Sequence, residues 1–198
     1  MKDFINSALD GKISDVKKRL DEGVPADSQN EDGMTALMNA SYEGHEAVCE
    51  LLITRGCNPD MQKKDGETAL ILASHNGQKA VCELLITRGC NVNMQDNVGR
   101  TALIWASAND HQAVCTLLIT RGCNVDMQDK GGSTALIWAS YNGHSPVVIS
   151  LIEAGCDYSL RDKDGRSGMD YLRTEYPGKV KEVQVSRSLT AVVTHSLI

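Results

Sequence analysis

Ala47-Val-Cys-Glu-Leu-Leu-Ile-Thr-Arg-Gly-Cys-Asn58 decides how this chain is read, because it returns letter for letter at residues 80–91. A third copy, at 113–124, differs only by Thr116 in place of Glu. A degraded fourth runs Pro146-Val-Val-Ile-Ser-Leu-Ile-Glu-Ala-Gly-Cys-Asp157. Each copy starts 33 residues after the last. Such spacing marks one supersecondary unit stacked on copies of itself, each burying a face it could not bury alone.

Outward from that stretch lie four full units, 30–62, 63–95, 96–128 and 129–161. Each opens on a turn (Glu31-Asp-Gly33, Lys64-Asp-Gly66, Asn97-Val-Gly99, Lys130-Gly-Gly132) whose glycine supplies the positive φ the turn needs. Thr35, Thr68, Thr101 and Thr134 then stand where a hydroxyl caps a short helix. That helix ends at Gly44, Gly77, Asp110 and Gly143, and the Asp predicts backbone strain near Ala108–His111. A second helix runs to Gly56, Gly89, Gly122 and Gly155, with Val, Cys and Leu-Leu-Ile facing inward. Arg55, Arg88 and Arg121 fall in its last turn, where a cation offsets the helix dipole.

The flanks are weaker versions of the same unit. In residues 1–29, Phe4, Ile5, Ala8 and Leu9 give one apolar helical face, and Ile13, Val16 and Leu20 a second, separated by Gly11 and ending at Gly23. Lys12, Lys17, Lys18 and Arg19, mixed with Asp15 and Asp21, supply the polar outer face of an amino-terminal cap. Residues 162–187 read as a decayed carboxy-terminal cap, with a second helix near Lys179–Arg187. The apolar tail 188–198 reads as a final helix or as the start of a region beyond.

The formal charge of −6 is unevenly placed, with six basic and twelve acidic side chains in residues 1–62. No basic face emerges, so nucleic acid is disfavoured as a partner. No apolar run approaches the ~20 residues of a membrane span, and Met1-Lys-Asp-Phe-Ile-Asn has no signal-peptide core. The seven cysteines are odd in number and fall on two repeat positions. Equivalent residues of stacked helices sit ~8–10 Å apart, beyond the ~7 Å Cα reach of a disulfide. They read as buried thiols, and the protein as soluble, intracellular and cytoplasmic, with the nucleus left open.

Asp-x-x-Gly-x-Thr-Ala-Leu, then Ala-Ser-x-x-Gly-His, then Val-Cys-x-Leu-Leu-Ile-x-x-Gly-Cys-Asn resembles the ankyrin repeat over roughly residues 1–176. The chain departs from the family at Ala36, Ala69, Ala102 and Ala135, where Pro is common, and at Ser41, Ser74, Ser107 and Ser140, where Ala is usual. The resemblance implies an all-α ankyrin-repeat solenoid, a finger-like β-turn and two antiparallel helices per unit. It also implies that fingers and inner helices form a concave face that binds proteins.

Catalytic and metal chemistry find little support. His45 and His111 stand four residues before Cys49 and Cys115, a spacing able to offer two metal ligands, but no second ligand pair converges. The family uses this His structurally, between neighbouring turns. A solenoid spreads like residues along a line, whereas nucleophilic catalysis needs unlike ones to converge. There is no phosphate-binding Gly-rich loop and no His-Glu-x-x-His. No enzyme activity, cofactor or metal is expected.

Since the copies are so alike, a site is sought where they differ. The resemblance places three variable sets on the concave face: finger tips (Met34, Glu67, Arg100, Ser133, Arg166), the pairs just before each finger glycine (from Glu31-Asp32 to Lys163-Asp164), and inner-helix ends (Tyr42, Glu43, His75, Asn76, Asn109, Tyr141, Asn142). A further inner-helix position reads Asn39, Leu72, Trp105, Trp138; the family usually has Leu there, packed between repeats, and Asn39, Trp105 and Trp138 are added as candidate contacts. Exposed aromatics beside polar neighbours are the composition of protein interfaces. Trp105 and Trp138 also suit packing between repeats. Asn39 is costly there unless paired or wet, which suggests that the first full repeat opens onto the groove. The expected function is a monomeric, non-catalytic scaffold for a partner protein, meeting a more acidic surface toward the amino-terminal end. The alternative is a regulatory or targeting segment of a larger kinase or ubiquitin ligase. Ser196-Leu-Ile198 resembles a weak PDZ-binding end, and Ser188–Ile198 could self-associate.

Overall fold

A computed structural model describes residues 2–181 and 183. Among these are eleven α-helices and a 3-10 turn at Pro177–Lys179, with no strand; Gln29–Thr35 and Arg161–Ser167 make isolated antiparallel bridges. The class is an all-α repeat solenoid, in two compact units, residues 1–102 and 103–198. None of the described helices is long and apolar enough to cross a membrane.

The first unit holds α1 (Lys2–Leu9), α2 (Ile13–Asp21), α3 (Ala36–Glu43), α4 (Glu46–Thr54), α5 (Ala69–His75) and α6 (Lys79–Thr87). Inner helices stack as α1 on α3 on α5, and outer ones as α2 on α4 on α6. In the second unit are α7 (Ala102–Ala108), at whose first residue the division falls, α8 (Gln112–Thr120), α9 (Ala135–Tyr141), α10 (Ser145–Glu153) and α11 (Gly168–Glu175). There α9 packs on α10 and α11, and α8 on α10.

The helices start where their caps stand. Thr35, Thr68 and Thr134 accept from the backbone N–H groups of Met38, Ile71 and Ile137, and Ser167 from that of Asp170. Each such cap contributes about 1 kcal/mol. Finger glycines such as Gly33 and Gly132 hold φ near +80°. A Cβ on Gly33 would lie 3.1 Å from the Lys63 Cα, so the next finger's close approach also favours glycine. Asp110 alone among the described non-glycine residues has positive φ, at 60°. It is the strained helix end that the missing glycine predicts.

Of the outer-helix motif, Val48, Cys49 and Leu52 are buried, as are Val81, Cys82 and Leu85, while Leu51 and Ile53 are half-buried. Full burial of each Leu contributes roughly 2–3 kcal/mol. Ile13, expected on the buried face of α2, is exposed, and only Val16 of that helix is fully buried. The reason is position: α2 has an outer-helix neighbour, α4, on one side only.

All seven cysteines are free thiols. Burial pushes Cys49, Cys82 and Cys115 up to about 11, and Cys57, Cys90 and Cys123 up to about 12. Ser41, Ser74 and Ser107 meet the sulfurs of Cys49, Cys82 and Cys115 at 3.5–3.6 Å, satisfying hydroxyls where the family usually has Ala. In the fourth copy Val148 replaces the Cys, and the buried Ser140 hydroxyl has no partner among the described residues.

Of the expected carboxy-terminal helix Lys179–Arg187, Val180, Lys181 and Val183 are helical. The rest of it, the tail 188–198 and the Ser196-Leu-Ile198 motif lie outside the described residues.

Candidate protein-binding surface

The fingers are fixed at their bases by a ladder of glutamines. The Gln29 amide donates to the Gly33 carbonyl at 2.7 Å and to the Gln62 carbonyl at 3.3 Å. Gln62 repeats this toward Gly66 and Gln95, and Gln128 toward Gly132 and Arg161. Finger backbones also join directly, Lys64 N–H to the Asp32 carbonyl at 3.0 Å and Lys163 N–H to the Gly131 carbonyl at 2.8 Å. The finger residues therefore stand on a rigid base, which lowers the entropy lost on binding. The 33-residue recurrence of Gln29, Gln62, Gln95 and Gln128 was visible in the sequence, but polar residues at a turn read as ordinary surface.

In the first unit Tyr42 and Glu43 are exposed at the end of α3, Tyr42 to 41%. Met34 is half-buried in the first finger, and His75 and Asn76 are half-buried at the end of α5. Other expected site residues are engaged inside the fold. Glu67 is held 2.8 Å from the Lys63 ammonium, which also meets Asp65. The Asn76 amide donates to the Leu72 carbonyl at 3.1 Å, closing its own helix. Asn39 corrects the expectation of an open first repeat. It is 8% exposed, and its amide donates to the Ile5 carbonyl at 3.1 Å, so α1 covers it and supplies its partner. Arg100 is half-buried in the third finger, its N–H donating to Asp96 at 2.8 Å.

Histidines join neighbouring turns within each unit. His45 Nε2 lies 2.9 Å from the Leu9 carbonyl, and His144 Nε2 3.2 Å from the Ala108 carbonyl. These are the turn-to-turn bonds that the resemblance implies. Gln78, standing where other copies have His, donates to the Tyr42 carbonyl at 3.3 Å and so holds the backbone of an exposed tyrosine.

The second unit gathers aromatic rings. Trp105 is half-buried, and the exposed Asn109 caps its carbonyl at 2.9 Å. The Asn142 amide reaches the Ala108 carbonyl at 3.1 Å and serves the stack. Trp138 meets Tyr141 edge-to-face, with centroids 6.1 Å apart and planes at 80°. Tyr141 meets Tyr171 the same way, at 5.4 Å and 85°. The Trp138 indole donates to Asp129 at 2.9 Å and the Tyr171 hydroxyl to Asp162 at 2.6 Å. The bond to that carboxylate, with burial, pushes the Tyr171 phenol up to about 12. These rings border a cleft of about 360 Å³ that Asp162 and Asp164 also line. Sequence reasoning missed Tyr171 and Asp162 as site residues. The signal was there, since each stands 33 residues after its counterpart, Trp138 and Asp129.

The outer helices are tied together instead. Arg55 lies 2.8 Å from Asp21, and Arg88 pairs with Glu50 on the preceding outer helix. Such part-exposed pairs contribute up to about 1 kcal/mol each, in addition to the dipole term expected of these arginines.

A family model of ankyrin repeats, in three copies, matches residues 4–96 and again 80–162. Such repeats are generally protein–protein interaction modules. No curated protein matches the chain. With most of its length under that model, this chain belongs to the ankyrin-repeat family.

Proposed function

We propose that the protein is a non-catalytic scaffold that binds a partner protein through its fingers and inner-helix ends, the side the family resemblance makes concave. One observation carries the reading. Tyr42 and Tyr141 are 41% and 52% exposed at the ends of helices whose other residues are largely buried, and Tyr141 shares a cleft with the charged finger residues Asp162, Lys163 and Asp164. A tyrosine left in water on a rigid backbone offers large contact area at small entropic loss. Met34, Glu43, His75, Arg100 and Asn109 join these anchors in the proposed surface, whereas Asn39, Glu67 and Asn142 are engaged within the fold.

The test is affinity capture of the partner from cells that express the protein, with wild-type chain and with the Tyr42→Ala/Tyr141→Ala double variant as baits. The double variant should lose the partner while keeping its helical circular dichroism. Undiminished capture would refute the surface.

A further inference from the structure

The cleft of the second unit has chemistry that an interface alone does not require. Successive edge-to-face contacts set Trp138, Tyr141 and Tyr171 as walls roughly at right angles, at 80° and 85°. Ring faces carry negative charge density and attract cations. Two of the rings are fixed before any ligand arrives, by the bonds to Asp129 and Asp162. One of these rings already carries a guanidinium, since Arg166, which is not among the residues lining the cleft, lies 3.7 Å above the Tyr171 ring and is anchored by Thr174 and Glu175. Asp164 lines the cleft with a carboxylate that makes no hydrogen bond or ion pair among the described residues. Asp162 already accepts from Tyr171 and from two backbone N–H groups. The lining carries two carboxylates and one ammonium, that of the exposed Lys163.

We infer that this cleft is a subsite for the side chain of an arginine on the partner protein. The inference rests on the interaction reading above and gives that partner a chemistry. A planar guanidinium stacks on a ring while its edge N–H groups reach Asp164, a pairing that a methylated ammonium cannot make. An acidic side chain would meet Asp162 and Asp164. A purely apolar one would leave the Asp164 charge uncompensated. The cleft of about 360 Å³ also leaves room for the arginine methylenes against Ile137.

The test uses the whole chain and capped Gly-Ala-Xaa-Ala-Gly peptides, with Xaa as arginine, citrulline, lysine or trimethyl-lysine. The readout is the NMR shift of the Trp138 indole N–H. The arginine peptide should shift it saturably at millimolar concentration, and the neutral isostere citrulline should bind about tenfold more weakly. Tyr141→Ala should weaken arginine binding about tenfold and Asp164→Asn about threefold, whereas Lys163→Ala should tighten it about threefold. All three positions are exposed, so circular dichroism should not change. Equal binding of citrulline, tighter binding of trimethyl-lysine, or no saturable shift would overturn the inference. Should the peptides fail while Tyr42-dependent capture persists, the arginine subsite falls and the interaction reading stands. Should arginine bind while capture ignores both tyrosines, the cleft takes a guanidinium, but the interaction reading falls and with it the assignment of that arginine to the partner.

Discussion

The two units share helix pairs, threonine caps and glutamine ladders, and they part company at two positions nine residues apart. In the first unit these are Asn30 and Asn39, then Lys63 and Leu72, while the members of the third pair, Asp96 and Trp105, fall on either side of the division. Asn39 and Leu72 are both buried, and the helix face closes over them. In the second unit the same positions hold Asp129 and Trp138, then Asp162 and Tyr171, each carboxylate accepting a hydrogen bond from the N–H or O–H of its ring. A ring tied at its polar end stands upright at the base of a finger, and a cleft remains beside it. The scaffold is thus set by what the copies share, and its chemistry by a pair of positions that stacking leaves free.

The largest expected effect is common to both units and measures the shared scaffold. Six thiols are held above their ordinary value of 9.0, at about 11 or 12. Because the folded values are raised, the stabilisation is complete below pH 9 and is lost as pH climbs toward 11–12. Each thiol adds a slope approaching about 1.4 kcal/mol per pH unit in that window. Urea midpoints should therefore fall steeply from pH 9 to 10.5, and a flat profile would mean that the cysteines are not core.

Next in size, Leu72→Ala should cost about 3 kcal/mol in urea unfolding, against under about 1 kcal/mol for the half-exposed Tyr141→Ala. The reverse order would break the contrast between a closed and an open inner face. Smaller again is a change of sign at one repeat position. Ser74→Ala should cost about 1 kcal/mol by removing the partner of Cys82, whereas Ser140→Ala should stabilise by about 1 kcal/mol by removing an orphaned hydroxyl. Smallest, Asp110→Gly should stabilise by about 0.5–1 kcal/mol by relieving the positive φ, read as a rise in melting temperature. A spectroscopic check accompanies these. Asp162→Asn should bring the Tyr171 phenol, now at about 12, back toward 10, read from absorbance on alkaline titration.

Much of the fold was legible because repetition writes each element several times. Thr35, Thr68 and Thr134 cap where they were expected to, and Asp110 is strained where a glycine was missing. Less of the surface was legible. The fate of Asn39 depended on the Ile5 carbonyl, and a backbone acceptor 34 residues away leaves no letter in the sequence. Glu67 looked like a free finger tip until Lys63 closed on it. Tyr171 was hidden by the decay of its own unit, where Gly168 takes the place of the usual small apolar residue and blurs the register. Ile13 was misjudged because an apolar stripe does not say on which sides a terminal helix has neighbours.

Amide hydrogen exchange on the chain with its captured partner tests the account most directly, because it locates the contact without mutation. The account predicts protection in the finger turns near 30–34, 63–67, 129–133 and 162–166 and at the ends of α3 and α9. Protection confined to the outer helices α4, α6, α8 and α10, the most repeated part of the chain, would contradict it.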